Sequence, residues 1–314
     1  MHTIARFPRY GGPKIVGERS VVHRGAQGYP DAFMQIQDPP ETLYLVGNAD
    51  ALSEGLAIIG ARKASPYGLA CARLFAKRAV EKGIVIISGG ALGCDSAAHR
   101  AAVEAGSPTV VFLGGGIDEV YPESNAGLFQ AVVDCGGVLA SENSWEYPAL
   151  PHTFRARNRL IAGLARATLI VEAGLPSGTF STADEALAAN REVLVVPGSI
   201  CSASSKGANR LLYQGATPVV DIDSFDDILF SLFGVLKQEV YVTEDTSEPA
   251  GEEGRILTAI RANSLYMEEI LDLVTPQQGL DSLESLMLQL TELQRKGEIM
   301  RYPDGRFGPA KIKV

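Results

Sequence analysis

The chain has 314 residues, a formal net charge of -9 and 46% hydrophobic residues, the composition of a soluble globular protein with room for one large domain or two smaller ones. Its four cysteines are widely spaced with no C-x-x-C pair, which argues against a zinc site or a disulfide framework and fits a reducing cytoplasm. No apolar stretch approaches the roughly 20 residues of a membrane span and no signal sequence is evident, so we expect a cytoplasmic protein with no membrane partner.

Residues 1–28 are rich in Gly, Pro and Arg and show no sustained periodicity, which predicts a flexible or loosely docked arm. Residues 29–48 predict a helical turn, a break at Pro39-Pro40 and a strand at residues 43–46. We therefore place the start of the first domain at residue 29.

From residue 56 onward the hydrophobic pattern becomes regular. Short, nearly unbroken apolar runs predict strands buried on both faces of a sheet, and helical patterns lie between them. This alternation predicts right-handed βαβ units and an α/β fold with a doubly wound, mostly parallel sheet, closing near residue 234. The predicted strands span residues 56–59, 84–87, 109–113, 137–140, 168–171, 193–196 and 218–220. The predicted helices span residues 66–82, 96–105, 124–135, 179–190, 209–214 and 224–232.

Residues 235–254 change character, with six acids and one lysine, and predict a solvated acidic linker. Residues 255–314 predict a small winged-helix-like domain, because three helical patterns precede two short strands joined by a Pro-Asp-Gly turn. Residues 251–314 hold eight basic residues against ten acids, which favours a partner-binding or regulatory role over reading of a DNA groove. The predicted helices span residues 255–262, 266–273 and 283–296, and the strands residues 299–302 and 306–308.

The most distinctive stretch of the chain is residues 150–173. Its centre, residues 154–159, holds three arginines, an asparagine and a phenylalanine, and no Asp or Glu occurs from residue 147 to residue 171. Because local rather than net charge attracts phosphates, this arginine segment predicts a polyanion site. An exposed Phe154 would stack unpaired bases while the arginines hold the backbone. In the alternative interpretation Phe154 belongs to the core, and Arg157 or Arg159 pairs with acids from elsewhere.

Small and polar residues follow most of the predicted strands, at the sheet edge where open α/β folds bind ligands. Gly60-Ala61-Arg62 precedes a helix capped by Ser65, so backbone N–H groups and the Arg62 guanidinium would suit a phosphate. A well-capped helix with a surface arginine is the equally weighted alternative. Ser177-Gly178-Thr179 predicts a second nest of backbone N–H groups that would bind an anion. The Lys206-Gly207-Ala208-Asn209 segment supplies one more group of small and polar residues at this edge of the sheet.

Two further glycine loops, Ser88-Gly89-Gly90 and Gly114-Gly115-Gly116, lack a full G-x-G-x-x-G with an acid about 20 residues on. A dinucleotide site is therefore weakly supported, and we expect no cofactor and no metal. For Gly114-Gly115-Gly116 we favour a role in the tight turn alone. His99 falls within a helical pattern and is expected to be a hydrogen-bonded packing residue rather than a catalytic base.

Together these segments resemble the DNA-processing protein A family, also called DprA or Smf. The resemblance runs from about residue 29 to residue 220 and extends more weakly through the C-terminal segment. Several long motifs in one order make it specific, which no single glycine loop would. The matching pieces are YPDAF, DPPETLYLVGN, IIGARKASPYG, VIISGGALGCDSAAH, GGGIDEVYPESN, ASEN, FRARNRLIAGLA, IVEAGLPSGTFSTADEAL, REVLVVPG and GANRLLYQGA.

The resemblance implies an extended Rossmann-like domain that binds single-stranded DNA and forms a homodimer, with the dimer surface around residues 211–233. It also implies a non-enzymatic recombination mediator that protects incoming single-stranded DNA and helps to load RecA during natural transformation. Single-strand-binding protein is a further implied partner. No cofactor is implied.

The family's motifs fall on particular residues of this chain. Its GSR-type turn falls on Gly60-Ala61-Arg62, with Arg62 as a DNA contact, and its SG loop begins at Ser88. Its F-P-x-R-N-R motif falls on residues 154–159, and its SGT helix start on Ser177-Gly178-Thr179. The nucleic-acid-binding residues predicted in this way are Arg62, Ser88, Gly89, Gly90, Phe154, Arg155, Arg157, Asn158, Arg159, Ser177, Gly178, Thr179 and Lys206.

The chain departs from the family's pattern at several positions. The SG loop commonly reads SGLARGID, so a frequent basic position is lost at Leu92. A lysine often precedes the phenylalanine, where this chain has Pro151 and His152. Arg155 stands where proline is usual and partly compensates for that lost charge. The N-terminal helical domain that members often carry is at most a remnant.

Two alternatives to the DNA mediator are weighed. The first is a nucleotide-binding hydrolase resembling the nucleoside-monophosphate phosphoribohydrolases, whose motif is G-G-x-G-T-x-x-E. Thr182 stands where its catalytic glutamate would be, and Glu185 lies one helical turn later. The second is a sheet domain that recruits proteins through its winged helix.

If the chain is a single-stranded DNA mediator, we expect charge reversal at Arg157 to abolish most DNA binding and to leave the fold intact.

Overall fold

The structure is a computed structural model that describes residues 10–235, 256–257, 259–260, 264–274, 282–302 and 305–310. The chain divides into two compact units, Met1–Lys237 and Gln238–Val314, called the sheet unit and the C-terminal unit below. Among the described residues, no helix has the length and apolar character needed to cross a membrane.

The sheet unit is built on one nine-stranded sheet, whose inner strands are short and almost wholly buried. Burial on both faces accounts for the unbroken apolar runs in the sequence, since neither face of these strands meets water. The strands are β1 Arg19–His23, β2 Thr42–Gly47, β3 Gly55–Ile59, β4 Ile86–Ser88, β5 Thr109–Phe112, β6 Val138–Ser141, β7 Ala165–Ile170, β8 Glu192–Val195 and β9 Thr217–Pro218.

The strand order is β1-β2-β6-β5-β4-β3-β7-β8-β9, and the direction in which successive strands are added to the sheet reverses once, next to β3. The chain builds outward from β3 through β4 and β5 to β6, then returns to place β7 on the other side of β3. The strands from β6 to β9 in this order are parallel, whereas β1 and β2 pair antiparallel at one edge. The carboxyl ends of β3 and β7 therefore diverge into loops on opposite faces, and this switch point is where such sheets bind ligands.

Helices cover both faces of the sheet, as the doubly wound prediction requires. They are α1 Pro66–Glu81, α2 Cys94–Glu104, α3 Ala126–Asp134, α4 Pro151–Leu164, α5 Thr179–Ala188, α6 Lys206–Tyr213 and α7 Ile222–Phe233. Alternate residues of each strand serve the two faces, so that Leu56 and Ile58 pack under α1, α2 and α7 while Ala57 and Ile59 pack under α4, α5 and α6. A third cluster packs α3 against β2, β5 and β6.

The N-terminal segment differs from the prediction of a flexible or loosely docked arm over residues 1–28. Its described part contains strand β1, which pairs with β2, and the buried side chain of Ile15. Lys14 and Arg19 both form ion pairs with the buried carboxylate of Asp118, at 2.8 and 2.6 Å. The sequence did not signal this strand because edge strands are half exposed and carry charged residues in place of an apolar run. Residues 1–9 lie outside the described residues.

A buried ion-pair cluster joins α7 to α1 beneath the sheet. The Asp226 carboxylate accepts hydrogen bonds from Arg78 Nε at 2.9 Å and Arg78 Nη2 at 2.6 Å. Lys82 Nζ lies 3.3 Å from the same carboxylate, and the side chains of Asp226 and Lys82 are 1% and 3% exposed. The Asp226 carboxylate therefore pairs with two buried cations, and Glu81 Oε2 lies 3.4 Å from Arg78 Nη1 as a second partner of that arginine.

Asp226→Asn is expected to lower the free energy of unfolding by about 3–5 kcal/mol, because it removes the buried carboxylate charge that pairs with both Arg78 and Lys82. Burial alone would raise the pKa of Asp226, but the hydrogen bonds from Arg78 and Lys82 outweigh burial and hold the pKa below its usual range. This stabilisation is therefore complete above the unfolded-state pKa of about 3.9 and is lost as the pH falls through the folded-state pKa.

Urea denaturation at neutral pH and across the acid range measures both effects. The wild type should lose more stability than the variant below about pH 4, since only the wild type protonates Asp226 there. Asp227→Asn is the matched control, because Asp227 is the adjacent aspartate and is exposed. Equal stabilities of the two variants would contradict the assignment.

The C-terminal unit has its own small apolar core, which includes Ile260, Ile270, Leu290 and Phe307. Residues 256–257 and 259–260 are helical, and α8 Met267–Val274 and α9 Ser282–Arg295 follow. Strand β10 Ile299–Arg301 pairs antiparallel with β11 Phe307–Pro309. These elements follow the predicted order of helices and hairpin. Residues 236–254 of the predicted acidic linker, and Pro303 and Asp304 of the predicted turn, lie outside the described residues.

Candidate nucleic-acid interface

A cleft of about 560 Å³ opens at the switch point, between the loops that follow β3 and β7. Helix α4, which carries the arginine segment, forms its third side. This switch-point cleft thus gathers the Gly60-Ala61-Arg62 turn, the Ser177-Gly178-Thr179 nest and residues 154–158, which lie far apart in the sequence. Its lining residues are Ile59, Gly60, Ala61, Arg62, Ala91, Asp95, Pro151, Phe154, Arg155, Arg157, Asn158, Ile161, Gly174, Pro176, Ser177, Gly178, Thr179, Ser181 and Thr182.

Two exposed arginines and an aromatic ring form the cationic wall of the cleft. Arg62 and Arg155 are exposed, and neither forms an ion pair with any carboxylate in the part of the chain that the structure describes. The Arg62 guanidinium lies 5.6 Å from the centroid of the Phe154 ring, and the centroid of the Tyr121 ring lies 5.3 Å from that of Phe154. Phe154 is half-buried rather than fully exposed, so this arrangement offers a phosphate two guanidinium groups without an ion-pair partner among the described carboxylates, beside the exposed part of an aromatic ring.

Gly114 makes room for the Phe154 ring, which corrects the interpretation that its loop serves the tight turn alone. A Cβ atom built on Gly114 would lie 2.7 Å from Phe154 Cδ1, closer than side-chain carbons approach one another. Any larger residue would push the ring from its place. The sequence signal was a glycine run after a strand, which does not distinguish a turn from a close side-chain approach.

The opposite wall is neutral and rich in hydroxyl groups. The Ser177 hydroxyl donates to Thr179 Oγ1 at 2.9 Å and accepts from the Thr179 backbone N–H at 3.2 Å, which fixes the start of α5. Asn158 Nδ2 donates to Ser181 Oγ at 2.9 Å, which ties α4 to α5 across the floor of the cleft. Gly178 has open space where a side chain would be, so the positive end of the α5 dipole is accessible.

The sequence predicts that Arg157 binds nucleic acid, but the structure buries its side chain. Its Nη1 donates to the backbone carbonyls of Gly89, at 2.6 Å, and Phe112. Burial lowers the pKa of Arg157 to about 10, and the nearby Asp95 opposes that effect. The guanidinium therefore stays charged at neutral pH and pins α4 to the ends of β4 and β5. For this reason we expect charge reversal at Arg157 to destabilise the fold, which replaces the expectation from the sequence that the fold stays intact.

Arg159 and Arg166 also have structural partners. Arg159 forms a bidentate ion pair with Glu142, with Nη1 and Nη2 at 2.7 and 2.6 Å from the two carboxylate oxygens. Arg166 Nε lies 3.2 Å from Glu54. The arginine segment thus lacks acids only in the sequence, because acids from distant parts of the chain neutralise these two arginines in the fold. The Arg159 side chain is mostly buried and does not line the cleft.

The SG loop supports the cleft from beneath. The buried Ser88 hydroxyl donates to the Ile58 carbonyl at 2.6 Å, and Ser88 does not line the cleft. Gly89 leaves the space that the Arg157 guanidinium occupies, and Gly90 adopts a φ of +66° against Phe129. Lys206 is exposed at the start of α6 but does not line the cleft.

Glu172 is a residue that the sequence analysis did not single out. It is 2% exposed at the end of β7, and its Oε2 accepts a hydrogen bond from the Ser65 backbone N–H at 2.7 Å. A Cβ atom on Gly68 would lie 2.5 Å from the same oxygen, so α1 packs directly on this carboxylate. Glu172 thereby holds the β3 and β7 loops at a fixed separation. The available signal was an acid directly after a buried strand.

The cleft offers little acid–base machinery. Asp95 is the one carboxylate among the described residues that line it, and burial raises the pKa of Asp95 against the opposing effect of Arg157. Glu185, the substitute glutamate of the hydrolase alternative, does not line the cleft. His99 is buried with Nδ1 2.9 Å from Thr109 Oγ1, as expected of a packing residue, and burial lowers its pKa to about 3. No group of three metal-ligating side chains occurs among the described residues.

Comparison with known protein sequences identifies one family. The family model described as DNA recombination-mediator protein A matches residues 20–230. Protein Smf of Escherichia coli K12 is 32% identical over 283 residues, which cover 88% of this chain and 74% of that protein. The DNA processing protein DprA of Streptococcus pneumoniae R6 is 36% identical over 189 residues, which cover 60% of this chain and 66% of that protein.

Solved structures agree with the sequence comparison. The DprA structure from Streptococcus pneumoniae has a TM-score of 0.61 at 33% identity and covers 65% of this chain and 72% of that one. The DprA structure from Helicobacter pylori, described as revealing a unique single-stranded DNA binding mode, has a TM-score of 0.63 at 31% identity. It covers 70% of this chain and 99% of that one. The chain spans about half the length of a further relative, the putative DprA of Mycobacterium tuberculosis.

Proposed function

The chain belongs to the DNA recombination-mediator protein A family, and we propose that it binds single-stranded DNA in the switch-point cleft and acts without catalysis. The observation that carries this proposal is the pairing of two unneutralised arginines, Arg62 and Arg155, with the Phe154 ring at the mouth of one cleft. Such a pairing meets both needs of an unpaired strand, which are neutralisation of phosphates and a surface on which bases stack.

Both walls of the cleft bind phosphates, and the Phe154 ring binds a base. On the cationic wall, Arg62 and Arg155 hold the phosphates, and the start of α5 at Thr179 presents backbone N–H groups and a helix dipole from the other side. Phe154 accepts a base, because every base has a face that stacks on an aromatic ring. Asn158 and Ser177 supply neutral hydrogen-bonding groups in the cleft. Arg157 and Arg159 position α4 and do not touch the strand.

The proposed biological role follows the family. The chain protects incoming single-stranded DNA and helps to load RecA during natural transformation, with single-strand-binding protein as a further partner. A homodimer through residues 211–233 is supported by large apolar side chains exposed there, since Tyr213, Val220 and Phe230 are more than half exposed. The place of action is the cytoplasm, which would keep the four free cysteines reduced.

Fluorescence anisotropy of the full chain with labelled oligo-dT of about 20 nucleotides, single-stranded and as a duplex with oligo-dA, tests the proposal. We expect the single strand to bind at least about 10-fold more tightly than the duplex, because only unpaired bases reach Phe154. Each phosphate that is neutralised should contribute about -0.7 to the slope of log K against log salt. Equal affinity for both forms, or no binding at low salt, would contradict it.

A further inference from the structure

A second, smaller cavity of about 40 Å³ adjoins the switch-point cleft. Arg62, Ala91, Phe154 and Arg157 line both cavities, so the two share a boundary. The smaller cavity, called the Leu92 compartment, is completed by Gly89, Leu92, Tyr121 and Pro122.

The side chains that complete the Leu92 compartment are predominantly apolar. Leu92 is 46% exposed at the tip of the loop between β4 and α2. The loop holds it there, because Gly93 has a φ of +83° and the Cys94 N–H donates to the Ala61 carbonyl at 3.3 Å. The Tyr121 and Phe154 rings are tilted 53° from each other with their centroids 5.3 Å apart, so the two half-buried rings form one continuous aromatic wall. An isolated exposed leucine needs no explanation, but one continuous with two aromatic rings forms an apolar patch.

Arg62 lies at the boundary between the two cavities. The apolar patch is therefore next to any phosphate that Arg62 binds. A phosphate held by Arg62 places the adjoining nucleotides of a strand on both sides of that guanidinium. The side toward Leu92, Tyr121 and Pro122 offers aliphatic and aromatic surface, and Leu92 has no side-chain donor for a second phosphate. A volume of about 40 Å³ is too small for a whole nucleotide, so only the face or edge of a base can rest in it.

We propose that the Leu92 compartment is a base-binding subsite, in which Leu92 packs against an unpaired base whose neighbouring phosphate lies on Arg62. This inference rests on the proposed single-stranded DNA binding. Leu92 then contributes to affinity through the base alone and carries none of the salt dependence that the cationic wall supplies.

The test compares Leu92→Ala and wild type in binding labelled oligo-dT and an abasic oligonucleotide of the same length, each across a salt series. Leu92→Ala should bind oligo-dT about 3- to 10-fold more weakly, bind the abasic strand as the wild type does, and keep the same salt slope. Leu92→Arg should bind the abasic strand more tightly and steepen the salt slope by about 0.7, since it adds one phosphate contact. Leu187→Ala, an exposed leucine on α5 outside both cavities, is the matched control.

The outcomes separate the two proposals. If the wild type binds oligo-dT and Leu92→Ala matches Leu187→Ala, the base subsite is wrong and the proposed function stands. Equal loss for oligo-dT and the abasic strand would also overturn the subsite, because it would show that Leu92 does not act through a base. A wild type that binds no single strand at low salt would overturn both.

Discussion

Replacing Arg62 and Arg155 together by glutamine is expected to weaken binding of oligo-dT by about 100-fold and to reduce the salt slope by about 1.4. Each arginine is exposed on the cleft and forms no ion pair with a described carboxylate, so each is available to a phosphate. Each arginine that no longer neutralises a phosphate of the single strand reduces the slope by about 0.7, and a charge-assisted hydrogen bond contributes about 1.5 kcal/mol, roughly tenfold in affinity.

The matched control for this variant is the double replacement Arg73→Gln with Arg100→Gln. Both control arginines are exposed, on α1 and α2, and neither lines the cleft. The two variants change the net charge equally, so a difference between them reports position rather than overall charge. Equal weakening by the two double variants in the anisotropy assay would contradict the assignment of the cleft.

Arg157→Glu is expected to lower the free energy of unfolding by more than about 5 kcal/mol, which is at least a third of the roughly 5–15 kcal/mol that stabilises an ordinary domain. The side chain is buried against the Gly89 and Phe112 carbonyls, and Asp95 lies nearby. A glutamate there would bring a second buried carboxylate toward Asp95 and leave both carbonyls without a donor. Urea denaturation followed by circular dichroism measures the loss.

Arg155→Glu separates this structural role from DNA binding. Arg155 lies two residues earlier on the same helix but is exposed, so its charge reversal should change stability by no more than about 0.5 kcal/mol. It should nevertheless weaken binding of oligo-dT, because it places a negative charge on the cationic wall. If Arg157→Glu proves as stable as Arg155→Glu, the buried role assigned to Arg157 is wrong.

The sheet could be predicted because burial on both faces leaves a strong local signal. Strands such as Gly55–Ile59 and Thr109–Phe112 are unbroken apolar runs, and glycine loops follow them. The reversal of strand order then brings the β3 and β7 loops together, which places Arg62 opposite Thr179 in one cleft. Strand Arg19–His23 gave no such signal, because an edge strand alternates exposed and half-buried residues.

The roles of the individual arginines could not be predicted from the sequence. Four arginines lie within twelve residues without an acid between them, yet Arg159 pairs with Glu142, and Arg166 pairs with Glu54. These partners come from distant parts of the chain, so no local pattern distinguishes a paired arginine from an available one. Position along α4 distinguishes the other two, because Arg157 is buried against the Gly89 and Phe112 carbonyls whereas Arg155 is exposed at the cleft.

A crystal structure of the full chain with oligo-dT tests the central claim most directly. We expect a phosphate within hydrogen-bonding distance of the Arg62 and Arg155 guanidinium groups, with an unpaired base stacked on the Phe154 ring. A strand bound on another surface, with no nucleotide in the switch-point cleft, would contradict the proposed interface.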